Sequence, residues 1–181
     1  MKKICLVLLI GLAVSTAAFA EHPEGLGLGF VSNFGFGNYW DVSLPFFWNP
    51  GLSLKAPKVP IYWGFWGNIS RYGVGFGVTG DYYIFDRVIV DKEVTNKDGA
   101  YDLRLDWYLG VGLAVNMDFW DDSTIFNAGL RIPGGVSWYV IKPLEVFVGL
   151  APTFGFYSVI DHKTAFHWKA NFEIGIRYWF D

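Results

Sequence analysis

Cysteine is nearly missing from this 181-residue chain, and the one present, Cys5, lies in a stretch that does not belong to the folded domain. Lys2 and Lys3 form a basic start, Ile4 to Val14 an apolar run interrupted by Gly11, and Ala18-Phe19-Ala20 an A-x-A cleavage site. That pattern reads as a secretory signal peptide over residues 1–20, leaving a domain over 21–181. Cys5 stands at the start of the apolar run, where a lipid-accepting cysteine does not occur, so no lipid anchor is expected. An exported chain without cysteine has no disulfides and is held by burial and backbone pairing alone. Basic charge is also scarce. Without Lys2 and Lys3, 12 of the 14 basic residues stand against 17 acidic ones, a balance that gives nucleic acid no electrostatic footprint.

A third absence decides the class. After Ala20 no apolar run approaches the ~20 residues of a membrane-spanning helix, although 52% of the residues are hydrophobic and 20% aromatic. Glycine is abundant, at 22 residues. An apolar, aromatic, glycine-rich chain with no spanning helix has the composition of a transmembrane β-barrel.

Periodicity agrees. Leu103, Leu105, Trp107, Leu109, Val111, Leu113, Val115 and Met117 alternate with Arg104, Asp106, Tyr108, Gly110, Gly112, Ala114 and Asn116. A period of two held this long belongs to a strand. The same division recurs over 126–140, 144–156 and 168–180, and more noisily from Leu26, Leu52, Ile61 and Val74. Eight strand candidates result, an even number that closes up and down, so the expected fold is all-β, an eight-stranded antiparallel transmembrane barrel. Eight strands enclose room for small side chains and a few paired charges but not for many Trp, Phe and Leu. The bulky set therefore faces outward, which only lipid tolerates. Residues 32–47, 68–72, 120–123 and 158–164 are expected as outer loops. Parity places the polar segment Asp91–Asp102 at the end shared with the termini, either as a protruding hairpin or as the sign of a miscounted strand.

Phe172, Ile174, Ile176, Tyr178 and Phe180 alternate at the C-terminal end, with Asp181 after them. This strand resembles the assembly signal of outer-membrane barrels, which implies recognition by the outer-membrane assembly machinery. The stretches Gly51–Trp63 (GLSLKAPKVPIYW), Gly77–Ile84 (GVTGDYYI), Trp107–Gly112 (WYLGVG), Gly129–Trp138 (GLRIPGGVSW), Leu144–Pro152 (LEVFVGLAP) and Gly175–Phe180 (GIRYWF) resemble a family of small outer-membrane barrels known chiefly from spirochaetes, with no assigned activity. More distantly the design is similar to the OmpA transmembrane domain, OmpX and OmpW. The resemblance implies outer-membrane lipid as surroundings, a monomer, and no catalytic residues, cofactor or metal.

The inward set contains Asp81, Arg104, Asp106, Arg131, Glu145, Lys169, Glu173 and Arg177. Buried charges must pair, since an isolated one costs several kcal/mol. The set reads as a network filling the lumen, with Arg131–Glu173 and Arg177–Glu145 as expected pairs. The sharper alternative is a gate whose pairs exchange partners, as the likeness to the OmpA domain implies. A lipid-modifying enzyme would draw on Ser158, Asp161, His162 and His167, but these read equally as a solvated loop tip. Two histidines without a third ligand make a poor zinc site. Tyr82, Tyr83, Phe85, Trp107, Trp138, Tyr139, Tyr178, Trp179 and Phe180 are expected as the aromatic girdle at the termini end, with Phe34, Phe36, Tyr39, Trp40, Phe119 and Trp120 as the other. The expected function is structural or surface-interactive through an outer ligand not legible in the chain. A narrow pore or conduit for small hydrophobic molecules is the alternative.

Overall fold

A computed structural model describes residues 23–39, 42–70, 73–96, 99–120, 123–159 and 164–180. The cleavage site after Ala20, together with Trp40, Asp161, His162 and Asp181, lies outside the described residues. The described residues form nine strands: β1 Leu26–Tyr39, β2 Val42–Lys55, β3 Tyr62–Ser70, β4 Gly73–Asn96, β5 Gly99–Trp120, β6 Ser123–Arg131, β7 Gly134–Ile141, β8 Leu144–Val159 and β9 Thr164–Phe180. All pairings are antiparallel, and β1 pairs with both β2 and β9, so the sheet closes into a ring.

Nine strands replace the expected eight, and the difference is local. β6 and β7 follow each other along one line, β6 pairing with β5 from Gly112↔Arg131 and β7 from Leu109↔Gly134. Both face β8 on the other side. Pro133 has no N–H to give to a ladder and breaks the line. The carbonyls around the break stay bonded: Gly110 N donates to Pro133 O at 2.7 Å and Ile132 N to Pro152 O at 3.0 Å. Eight positions around the ring are thus filled by nine strands.

Of residues 32–47, expected as a loop, 32–39 and 42–47 lie in strands β1 and β2, with Ser32 opposite Pro50, Phe34 opposite Trp48 and Tyr39 opposite Val42. Gly35, Gly37, Pro45 and Pro50 had masked the strand pattern. Among the described residues β2 pairs with β3 only from Gly51 to Lys55, so both prolines stand where β2 has a ladder on one side alone, a place that tolerates the missing donor. The Asp91–Asp102 segment continues two long strands wherever it is described: the β4–β5 ladder runs on to Asn96↔Gly99, with irregularities at Tyr83/Phe85 and Val88/Val90.

Alternation decides what each face carries. Leu113, Leu130 and Phe156 are about 60% exposed on the outside of the ring, at 60%, 66% and 61%, while Asp106, Ser137 and Glu145 inside are at 0%. The polar residues are buried and the apolar ones exposed, the reverse of a protein folded around a greasy core.

Candidate functional site

The interior of the ring is where ionisable groups converge. β6 carries Arg131 at its end, β4 brings Asp81 and β9 brings Glu173, all on inward positions of their strands. Arg131 Nε lies 2.8 Å from Asp81 Oδ1, and its Nη2 donates to Glu173 Oε1 at 2.7 Å, so one guanidinium bridges two carboxylates. Nearer the termini, Glu145 of β8 is the acceptor for three groups: Ser137 Oγ at 2.7 Å, Arg177 Nη1 at 2.8 Å and Trp179 Nε1 at 2.7 Å. Arg177 also donates from Nε and Nη2 to Ser53 Oγ, at 3.2 and 2.9 Å. At the mouth, Arg104 donates to Asp106 from Nε and Nη2, the latter at 2.9 Å. Asp81, Arg104, Asp106, Arg131, Glu145, Glu173 and Arg177 stand in these ion pairs. Lys169 lines a small cavity together with Arg131 and His167.

Aromatic rings fill the space that the charges leave. Tyr62 stacks on Tyr83 at 4.1 Å, and Tyr83 on Tyr108 at 4.4 Å. The Arg177 guanidinium is 5.0 Å from the Tyr62 ring and 4.7 Å from that of Phe147, which adds cation–π attraction to its ion pair. Arg104 lies 5.0 Å from Tyr139 in the same way. Trp179, at 2% exposure, closes a buried cluster with Tyr62 and Tyr139.

This corrects two expectations. Tyr83, Tyr139 and Trp179 point inward and are not girdle residues. Tyr139 and Trp179 alternate with the exposed Trp138, Tyr178 and Phe180, so parity alone assigns them to the interior. Tyr83 precedes the irregularity between Tyr83 and Phe85, which lets both it and Asp86 face inward. Trp107, stacked on Phe85 at 6.1 Å, does face outward with Trp138, Tyr178 and Phe180. At the other end Phe36, Phe119 and Trp120 are exposed, and Phe34 stacks on Phe172 at 6.0 Å.

The interior also holds more large rings than the volume argument allowed. Glycines opposite them make the difference: a Cβ on Gly135 or Gly149 would meet the Tyr108 hydroxyl, one on Gly77 the Trp66 ring, and one on Gly175 the Phe147 ring. Small residues facing large ones let a narrow cylinder accept both. The signal was present as the repeated glycines at inward positions.

Ser158 and His167 do not come together. His167 faces inward, opposite Gly155 of β8, while Ser158 lies on the alternate face and accepts a hydrogen bond from Thr164 Oγ1 at 3.2 Å. Phe172, Ile174, Ile176, Tyr178 and Phe180 all face outward along β9.

No protein-family model matches the chain, and no curated protein matches it. Among solved structures it is similar to Neisserial surface protein A (NspA), with 15% identity, a TM-score of 0.55, and coverage of 86% of this chain and 97% of that one. The N-terminal β-barrel domain of Pseudomonas aeruginosa OprF aligns at 14% identity over 83% of this chain and 97% of that one, with a TM-score of 0.38. Ail, the attachment invasion locus protein of Yersinia pestis, aligns at 11% over 87% and 100%, with a TM-score of 0.39. The last two scores are too low to argue from. The likeness to NspA, at so low an identity, extends to the fold: an antiparallel sheet closed on itself.

Proposed function

We propose that the chain is an outer-membrane β-barrel with eight strand positions, exported by removal of residues 1–20. Its lumen is filled by side chains, and its role is structural or exercised at the cell surface through its outer hairpins. One observation carries this reading. The outer face of the ring presents Leu, Val, Ile and aromatic side chains on every strand, while ion pairs and carboxamides face in. So large an apolar surface is stable only against lipid. Trp107, Trp138, Tyr178 and Phe180 at one rim and Phe36, Phe119 and Trp120 at the other support two headgroup-level girdles. Outer-membrane lipid is then the first partner, and the outward row Phe172 to Phe180 suits recognition by the assembly machinery. Kinship with the spirochaete-type barrels stays a resemblance of strand sequences.

A narrow pore is the second reading. It is favoured by cavities along the axis: about 250 Å³ at the termini end, lined by Arg104, Tyr139, Lys142 and Trp179, and about 30 Å³ on each side of the Arg131 triad. Arg177, Tyr62 and Tyr83 line the small cavity nearer the termini. Planar-bilayer recordings of the refolded protein test the choice, and the expected result is no reproducible conductance step. Regular steps would favour the pore. A catalytic role is not part of the proposal, so lipid mass spectra of cells with and without the protein should coincide.

A further inference from the structure

Arg131 is one guanidinium between two carboxylates, Asp81 and Glu173, within 2.8 and 2.7 Å. The next cation toward the termini, Arg177, is committed to Glu145 at 2.8 Å. Two carboxylates therefore share one guanidinium in the middle of a narrow interior, where an unsolvated charge is costly. Two cavities flank it, each of about 30 Å³, and both are lined in part by Asn33, Thr79 and Arg131. The space exceeds the ~10–15 Å³ that admits one water molecule. The upper cavity is walled by carboxamides, among them Asn49, Asn116, Asn127 and Asn171, with Lys169 beside them.

Among the described residues, one lining carboxamide lacks a partner at both atoms and a second at its oxygen. Asn127 is 1% exposed, and among the described residues neither its Nδ2 nor its Oδ1 has a hydrogen-bond partner; Asn33 Oδ1 is in the same position, at 7% exposure. Buried polar atoms are almost always satisfied, by protein or by ordered water. Here the unsatisfied atoms line a polar space of a water's size.

We infer that these two cavities are hydration sites, holding ordered water that bridges the Asn127 and Asn33 carboxamides and solvates the two-to-one triad of Asp81, Arg131 and Glu173. The inference rests on the filled-lumen reading and refines it: the filling is wet on both faces of the triad, and Tyr62 and Tyr83 border the lower water site. Water supplies both a donor and an acceptor, which is what a carboxamide with both atoms unpartnered requires.

The full chain refolded in detergent provides the test. A crystal structure with water resolved is expected to show density within about 3.2 Å of Asn127 Nδ2 or Oδ1. Empty cavities, or an Asn127 re-paired with a neighbouring side chain, would overturn the inference. Asn127→Leu reads the same question through stability. If water satisfies Asn127, removing the carboxamide forfeits its bonds, and the thermal midpoint falls by about 2–4 °C. If the carboxamide is dry and unsatisfied, the leucine relieves it and the midpoint rises, against the inference. A water column continuous from mouth to mouth in the crystal would overturn the filled lumen while leaving the waters at Asn127 in place, so the two failures are separable.

Discussion

Arg131 illustrates what a buried charge does in a closed interior. Its guanidinium holds two carboxylates from strands β4 and β9, so removing it strands both. Arg131→Met is expected to cost about 3–5 kcal/mol in urea unfolding followed in detergent or lipid vesicles. Adding Asp81→Asn and Glu173→Gln to the variant should recover most of that loss, because the damage comes from uncompensated charge. Equal losses in the single and triple variants would contradict the account. The glycines facing the interior rings act by volume. Gly149→Ala places a methyl against the Tyr108 hydroxyl at 2.5 Å, and overpacking of this kind costs about 1–3 kcal/mol. The same substitution combined with Tyr108→Phe should cost less, as read by the urea midpoint.

At this scale much of the site was legible. Asp81, Arg104, Asp106, Arg131, Glu145, Glu173 and Arg177 all stand on inward positions of regular alternations, and parity needs no knowledge of neighbours. The expected pairs form both between neighbouring strands, Glu145 of β8 with Arg177 of β9, and across one intervening strand, Arg131 of β6 with Glu173 of β9. Ser53, Ser137 and Trp179 are bonded to Arg177 or Glu145, yet nothing marks a serine or an indole as a partner until strand register is known. Clustered aromatics conceal the interior rings, because Trp138 and Tyr139, or Tyr178 and Trp179, are adjacent in sequence yet point to opposite faces.

Among the elements, regular strands were readable and interrupted ones were not. β5, β8 and β9 keep their period of two. β1 and β2 carry Gly35, Gly37, Pro45 and Pro50, residues that signal a loop locally; the prolines are tolerated because β2 has one bonded edge there, and the glycines sit where the β9 backbone comes close. Pro133 had the opposite effect, dividing a strand that alternation joined. The last strand offers a prediction at this scale. Phe180 is outward and 46% exposed, and it is opposite Leu26 in the β1–β9 ladder. Phe180→Ala should lower the amount of protein in the outer-membrane fraction of cells several-fold while leaving refolding into detergent nearly unchanged, since the side chain faces outward. An unchanged membrane fraction would remove the assembly-signal reading of β9.

For the molecule as a whole, the distribution of polarity matters more than any one contact. If the outer face meets lipid, as proposed, a charge placed on that face should act through the bilayer. Leu113→Arg, at a site 60% exposed on the outside of β5, is expected to cost about 2–4 kcal/mol in vesicles if the residue lies near the midplane. In a soluble protein an exposed leucine would accept the change at little cost.

The most direct test uses the lack of cysteine beyond Cys5, which lets nitroxide labels be placed one at a time. Labels at Leu113, Leu130 and Ile174 on the outside, and at Asn116 and Thr153 within, would be compared by electron paramagnetic resonance in refolded vesicles. The account predicts that the outer labels are relaxed strongly by oxygen and weakly by a water-soluble nickel chelate, with both relaxants weak inside. Outer labels relaxed chiefly by the nickel chelate would contradict it.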